Sequence, residues 1–282
     1  MCGIVGYVGF RQATDLILEG LRRLEYRGYD SSGLATLDED GGIRVVKAAG
    51  RLARLEALVR ESPSDSAIGI GHTRWATHGA PTDGNAHPHL GCTGTMSTAS
   101  LAVVHNGVIE NYKSLKSSLE NEGYVFRSET DSEVVAHLID SCLHRALANG
   151  SRVTDDPADG PWVVAVREAI AQLRGTYGLL VLFHDQPGLL VAARCGSPLV
   201  IGVGDGEHFI ASDASPLAGH ADRIVYMADH EVAVVTTSSL RVIHRDAGRV
   251  EPAVQTLELS AADVSRSEEH TSELQSRVDI SY

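Results

Sequence analysis

The sequence has no excess of positive charge. Its 24 lysines and arginines stand against 37 aspartates and glutamates, a formal net charge of −13 over 282 residues. That balance gives no support to nucleic-acid or anionic-membrane binding, which need basic patches. No run approaches the roughly 18 apolar residues that span a bilayer, and no basic-then-apolar leader opens the chain. The four cysteines, Cys2, Cys92, Cys142 and Cys195, form neither a Cys-x-x-Cys pair nor a disulfide framework. Together these absences point to a reduced, cytoplasmic setting. A His-Glu-x-x-His metalloprotease helix and a Gly-x-Ser-x-Gly nucleophile elbow are also missing. What is present is globular: 43% hydrophobic and 22% charged residues, enough for one large domain or two small ones.

The first half alternates strands and helices. Residues 3–10 read as a buried strand, and Ala13, Leu16, Ile17, Leu21 and Leu24 then recur at helical spacing. Strands at 34–38 and 43–48 flank the turn Asp38–Gly42, and a short helix presents Leu52, Leu55, Leu58 and Val59. A strand at 67–72 runs into a polar loop, 73–100, whose length is a mark of function. Residues 101–105 are a strand ending at Asn106-Gly107. A helix over about 111–122 stops at Gly123. Thr130-Asp131-Ser132-Glu133 has the spacing of a capping box, opening a helix to about 148. Residues 149–161 read as an exposed insertion, followed by a helix over about 162–174. From 176 onward come seven short strands joined by turns, so the fold class is α+β with antiparallel sheets. The glycines of 202–206 imitate a nucleotide loop but lie between strands, which makes them a hairpin. Residues 266–282 have no apolar period and resemble translated adapter sequence, so they are set apart from the fold.

Chemistry concentrates at a few strand ends and loops. Removal of Met1, permitted by the small side chain that follows it, would leave Cys2 with a thiol and a free α-amine. That amine has an ordinary pKa of about 7.7–8.0 and can serve as general base to the thiol. An isolated Met-Cys is otherwise an unremarked buried residue. Asn106 and Gly107 can converge on an oxyanion, through the side-chain amide and the backbone N–H, or can simply be a hairpin turn. Arg74 and Asp131 can clamp the carboxylate and ammonium of an amino acid; each alone also reads as a surface or capping charge. Trp75 can close over a small ligand or be core. His72, His78, His87, His89 and His105 raise a metal site as a rival, although no paired ligand spacing supports it.

With these residues in view, the chain resembles the glutaminase domain of the glutamine–fructose-6-phosphate aminotransferases. The resemblance rests on Cys2-Gly3-Ile4-Val5-Gly6, Tyr26-Arg27-Gly28-Tyr29-Asp30-Ser31, His72-Thr73-Arg74-Trp75-Ala76-Thr77-His78-Gly79, His105-Asn106-Gly107 and Ser128-Glu129-Thr130-Asp131. It continues through Gly196-Ser197-Pro198-Leu199 and Phe209-Ile210-Ala211-Ser212-Asp213. It implies a four-layer αββα N-terminal-nucleophile hydrolase sandwich over residues 2–245, with 246–265 beginning an inter-domain linker and 266–282 non-native. By carry-over Cys2 is the nucleophile, Asn106 and Gly107 the oxyanion hole, and Arg74, Thr77, His78 and Asp131 the glutamine-binding residues. Trp75 is the gate, and Arg27 supports the nucleophile. No metal or organic cofactor is implied. L-glutamine is the substrate, and fructose 6-phosphate enters only through a C-terminal half absent from this sequence. The full-length protein is expected to be a cytoplasmic homo-oligomer, truncated here near residue 265. The loops 91–101 and 149–161 look longer than the family's minimal connections.

A different outcome is a catalytically silent glutamine-binding module that keeps Arg74 and Asp131 but retains Met1. Intact-mass measurement of the N-terminus separates the two. Loss of one methionine is expected; a retained Met1 blocks the amine and favours the silent module.

Overall fold

The first strand, β1 (Gly3–Val8), sends Ile4 and Val8 to one side and Val5 and Tyr7 to the other, and all four are buried. A strand buried on both faces needs a covering layer on each. The structure, a computed structural model, describes residues 2–76, 79–92, 98–150, 160–184 and 186–257. Ile4 and Val8 pack with Ala102, Val104 and Leu180 of a second sheet, whereas Val5 and Tyr7 pack on Ile17, Leu21 and Leu24 of helix α1 (Ala13–Leu24).

Two sheets result, with antiparallel ladders throughout the described strands. The first runs in the order β15 (Val254–Thr256), β11 (Arg223–Tyr226), β9 (Val200–Val203), β10 (His208–Ala211), β1, β4 (Ile68–Arg74), β2 (Ser31–Leu37), β3 (Ile43–Ala49). The second runs β14 (Gly248–Val250), β13 (Leu240–His244), β12 (Glu231–Val235), β8 (Leu190–Cys195), β7 (Gly175–Phe183), β6 (Leu101–Ile109), β5 (His89–Gly91). Helices α1 and α2 (Leu52–Glu61) cover the first sheet. Helices α4 (Ser132–Ala148) and α5 (Pro161–Ile170) cover the second through Val135, Leu138, Ile139, Leu143, Val163 and Val166, with α3 (Tyr112–Asn121) adding Leu119. The layers are therefore α, β, β, α, the expected sandwich. The 202–206 glycines form the expected turn between β9 and β10.

Four details depart from the sequence reading. The loop 73–100 contains β5, which pairs His89 with Val103, and its residues 85–89 are buried rather than polar surface. Strand β6 does not end at Asn106-Gly107. It runs on to Ile109, pairing Asn106 with Gly178 and Gly107 with Tyr177, so the dipeptide is no hairpin turn. The capping box does not form: Asp131 is the N-cap residue without a side-chain cap bond, and Glu133 reaches back to the N–H groups of Arg127 and Ser128. Residues 248–256, read as linker, add the edge strands β14 and β15. The insertion 149–161 lies largely, and the tail 266–282 entirely, outside the described residues.

The inter-sheet core is tight around Gly6, where an added Cβ would lie 2.2 Å from Leu180 Cδ2. Leu180→Ala should therefore open a cavity between the sheets and cost about 2–5 kcal/mol of unfolding free energy. Urea denaturation measures this; a cost below about 1 kcal/mol would mean that the sheets do not depend on that contact.

Candidate active site

Strand alternation gathers the reactive residues between the sheets. Cys2 precedes β1 and shares parity with Ile4, so it lies on the face turned to the second sheet. Strand β4 pairs with β1 in the register Gly3↔Thr73 and Ile4↔His72, which brings His72 and Arg74 to the same face. Strand β6 contributes Ala102 and Val104 to the inter-sheet core, and Asn106 follows them in parity. The contacts agree with this alternation. Asn106 Nδ2 donates to the Cys2 carbonyl oxygen at 3.1 Å, and the Trp75 N–H donates to Cys2 Sγ at 3.3 Å. Burial pushes the Cys2 thiol above its usual pKa; the Trp75 N–H and the charge of Arg74 pull the other way.

Gly107 adopts φ 140°, and a Cβ there would lie 2.0 Å from the Thr176 carbonyl oxygen, so only glycine fits. Two residues further on, the Ile109 N–H donates to Asp131 Oδ2 at 2.7 Å. Asp131 is thus fixed by the strand that carries Asn106. Arg74 is 5% exposed, and its guanidinium donates to the carbonyls of Gly79 (3.1 Å) and Ala80 (3.4 Å). Burial lowers the Arg74 pKa, and the charges of Cys2, Asp30 and Asp131 oppose that shift. Cys2, Trp75, Arg74, Asn106, Gly107 and Asp131 therefore meet at one end of the inter-sheet space. Thr77 and His78 lie outside the described residues. Trp75 is 45% exposed and meets Tyr29 edge-on, with ring centroids 5.7 Å apart, at the rim.

The motif Tyr26–Ser31 serves this site by holding the end of β4. Asp30 Oδ2 accepts the Ala76 N–H at 2.8 Å, and the Asp30 N–H donates to the Arg74 carbonyl at 3.1 Å. A Cβ on Gly28 would lie 2.7 Å from the Arg74 carbonyl carbon and 2.8 Å from the Trp75 nitrogen, so the two backbones meet only because residue 28 has no side chain. Arg27 reaches away from the nucleophile: its guanidinium lies over the Tyr26 ring and pairs with Asp213. Next to Asp213, Ser212 bonds Ile4 twice, Oγ accepting the Ile4 N–H and the Ser212 N–H donating to the Ile4 carbonyl, each at 3.0 Å.

A second set of residues fixes the loop before α4. The Asn85 side chain donates to the Ala80 carbonyl and accepts the Glu129 N–H, joining loop 79–85 to the Asp131 loop. Burial alone would raise the Glu133 carboxyl, but hydrogen bonds involving His137, Arg127 and Ser128 pull it down to about 2. Asp30 and Glu133 were visible in the sequence without a role, and Asn85 was missed. A lone asparagine in a loop carries no sequence signal; its burial only appears with the fold.

The histidines form one buried cluster with assigned partners. His72 stacks on His87 at 4.1 Å, and His87 meets His89 edge-on at 4.7 Å. His72 Nε2 lies 2.9 Å from Asn106 Oδ1, His89 Nε2 lies 3.0 Å from Thr130 Oγ1, and His105 Nδ1 lies 2.8 Å from Ser132 Oγ. The His105 N–H donates to His87 Nδ1 at 3.2 Å. Burial pushes His72 and His89 down to about 3, and lowers His87 and His105 as well. Among the described residues no group of three or more His, Cys, Asp or Glu side chains is arranged to hold a metal ion.

An αββα sandwich of antiparallel sheets with a cysteine at the head of a central strand defines an amidotransferase domain of the N-terminal-nucleophile class. The family described as "Glutamine amidotransferase domain" matches residues 93–219. Among curated proteins, the chain is 49% identical over 245 residues to a glutamine–fructose-6-phosphate aminotransferase (isomerizing) of Chlorobaculum tepidum, covering 86% of this chain and 37% of that protein. The corresponding enzyme of Gluconobacter oxydans is 44% identical over 266 residues, covering 94% and 40%. Among solved structures, the glutamine phosphoribosylpyrophosphate amidotransferase of B. subtilis superposes with a TM-score of 0.68 at 22% identity, over 88% of this chain and 50% of that one. A glutamine aminotransferase class-II domain protein of Silicibacter pomeroyi has a TM-score of 0.51 at 15% identity, over 91% and 99%. The chain belongs to the class II glutamine amidotransferases, as a glutaminase domain of the glutamine–fructose-6-phosphate aminotransferase kind. It spans under two fifths of the length of the Chlorobaculum relative.

The histidine cluster has a consequence for stability. An unfolded histidine titrates near 6.5 and His72 and His89 near 3, so below about pH 6.5 the unfolded chain binds protons that the folded chain refuses. Stability from these groups is complete above about 6.5 and falls as pH drops toward 3, by up to about 1.4 kcal/mol per pH unit per histidine. Urea midpoints at pH 7.5 and pH 5.0 should show the fall, and His89→Gln should reduce it. An equal fall in His89→Gln would remove His89 from the account.

Proposed function

We propose that the chain hydrolyses L-glutamine to glutamate and ammonia through a thioester on Cys2. The observation that carries the reading is the approach of Cys2 to Asn106, whose Nδ2 lies 3.1 Å from the Cys2 carbonyl oxygen, beside the glycine that β6 alone can accommodate at position 107.

With Met1 removed, the α-amine of Cys2 takes the thiol proton, and the thiolate attacks the side-chain amide carbon of glutamine. Charge develops on the carbonyl oxygen, where the Asn106 amide and the Gly107 N–H stabilise it. The tetrahedral intermediate collapses, the C–N bond breaks, and the α-ammonium returns its proton to the leaving nitrogen, which departs as ammonia. The amine then deprotonates a water that attacks the thioester; the second intermediate expels the thiolate and releases glutamate. Arg74 pairs with the substrate carboxylate and Asp131 with its ammonium, which orients the amide toward Cys2. Thr77 and His78 line the same pocket, Trp75 covers its mouth, and Arg27 holds the surrounding loop through Asp213.

The relatives' length and names support a wider reading. Residues 2–245 are the glutaminase domain, and 246–265 lead toward a sugar-isomerising half. In such a full-length, homo-oligomeric protein the ammonia would pass to fructose 6-phosphate and yield glucosamine 6-phosphate. Among the described residues no helix is long and apolar enough to cross a membrane; a cytoplasmic site of action is part of the proposal.

Glutamate release by the processed protein tests the chemistry. Cys2→Ala should abolish it, and Asn106→Ala should lower kcat by about 10²–10³-fold. Full activity in Cys2→Ala would overturn the mechanism.

A further inference from the structure

We propose that His72 is a positioning residue that sets which end of the Asn106 side chain faces the nucleophile. The inference rests on the reading of Asn106 as an oxyanion donor and adds to it the residue that makes Asn106 a donor rather than an acceptor.

A carboxamide has two ends of nearly equal shape, and its terminal torsion is broad and roughly two-fold. Packing therefore fixes the plane of Asn106 but not the end presented to Cys2. Hydrogen-bond chemistry must decide. Turned one way, Asn106 offers N–H to the Cys2 carbonyl and to a developing oxyanion. Turned the other way, it offers a carbonyl oxygen and repels both.

His72 decides it. Its Nε2 lies 2.9 Å from Asn106 Oδ1, and Asn106 Nδ2 lies 3.1 Å from the Cys2 carbonyl oxygen. With the Cys2 carbonyl able only to accept, Nδ2 must donate to it, Oδ1 must accept, and His72 must carry its proton on Nε2. Both contacts reverse into clashes if the amide turns over.

The imidazole is itself fixed on three sides. His72 is paired across the sheet with Ile4 and Gly33, and it stacks on His87 with ring planes 24° apart. At Gly33 a Cβ would lie 2.2 Å from the His87 carbonyl oxygen, so the glycine lets the loop bearing His87 close on β2. His72 is 1% exposed, and burial keeps it neutral at working pH. The neutral Nε2–H tautomer then leaves Nδ1 unprotonated and without a hydrogen-bond partner among the described residues. A buried ring tolerates that orphaned nitrogen only where its other nitrogen is committed.

The test is steady-state glutamine hydrolysis by the processed protein carrying His72→Leu, His72→Asn, His72→Gln, Asn106→Ala, or His72→Leu with Asn106→Ala. His72→Leu removes the donor and should lower kcat by about 10²-fold with KM nearly unchanged. His72→Asn, whose shorter amide falls short of Asn106, should behave alike and stands in if the leucine variant does not fold. His72→Gln can place an N–H near the Nε2 position and should recover most of the rate. In the Asn106→Ala background, His72→Leu should cost nothing more. Alkylation of Cys2 by iodoacetamide, which builds no oxyanion, should keep its wild-type rate in all His72 variants. Wild-type kcat in both His72→Leu and His72→Asn, or a His72 loss that adds in full to that of Asn106→Ala, overturns the proposal. So does a His72→Leu or His72→Asn variant that loses alkylation in proportion to kcat. An unchanged kcat in Asn106→Ala would instead overturn the oxyanion reading itself.

Discussion

The site depends on the way β1 is held in register. The strand lies between β4 and β10, and its second residue, Ile4, exchanges two further backbone bonds with Ser212. A chain terminus is ordinarily the least ordered part of a domain. Here the terminal strand is central, buried on both faces, and bonded along both edges, so the thiol that precedes it inherits the order of the core. A nucleophile whose base is its own α-amine needs this arrangement, because no neighbouring side chain is there to correct its position.

Around that strand the polar groups are placed in a medium that punishes error. His72, His87, His89 and His105 are buried, and their listed shifts all run toward the neutral form. Neutral imidazoles can each donate and accept, so they link backbone and side chains without bringing a charge into the low-dielectric space between the layers. The cluster joins β4, the loop 85–89, β6 and the start of α4. It thereby ties together the segments that carry Arg74, Asn106 and Asp131. Charge is confined to Arg74, Asp131 and Glu133, each of which has bonds from or to backbone groups.

Much of this was legible before the structure. The helical periods of 12–25 and 132–148, the strand-rich second half and the layer order follow from apolar spacing alone, because burial on one face or two leaves a pattern that sequence preserves. The chemistry-bearing segments were legible too, although their meaning was not. Asn106-Gly107 has the composition of a turn, and only the pairing with Gly178 and Tyr177 makes it a strand interior. Thr130–Glu133 has the spacing of a capping box, but Glu133 finds better donors in the preceding loop. The loop 73–100 looked polar because histidine and asparagine are polar; that they are buried depends on partners distant in sequence, such as Thr130 for His89. Local pattern is silent about such pairings.

The continuation of β6 past Gly107 has one more consequence. The same strand carries the amide donor at Asn106 and, three residues on, the N–H that grips Asp131. A strand advances roughly 3.3 Å per residue and scarcely stretches. On the proposed reading, the two ends of the substrate are therefore gauged against a single rigid rod, one at the reacting amide and the other at the ammonium. An amino acid amide one methylene shorter, fastened at Asp131, would hold its carbonyl short of the donors. Discrimination of glutamine from asparagine would then reside in the spacing of backbone atoms, which no single side-chain replacement can lengthen.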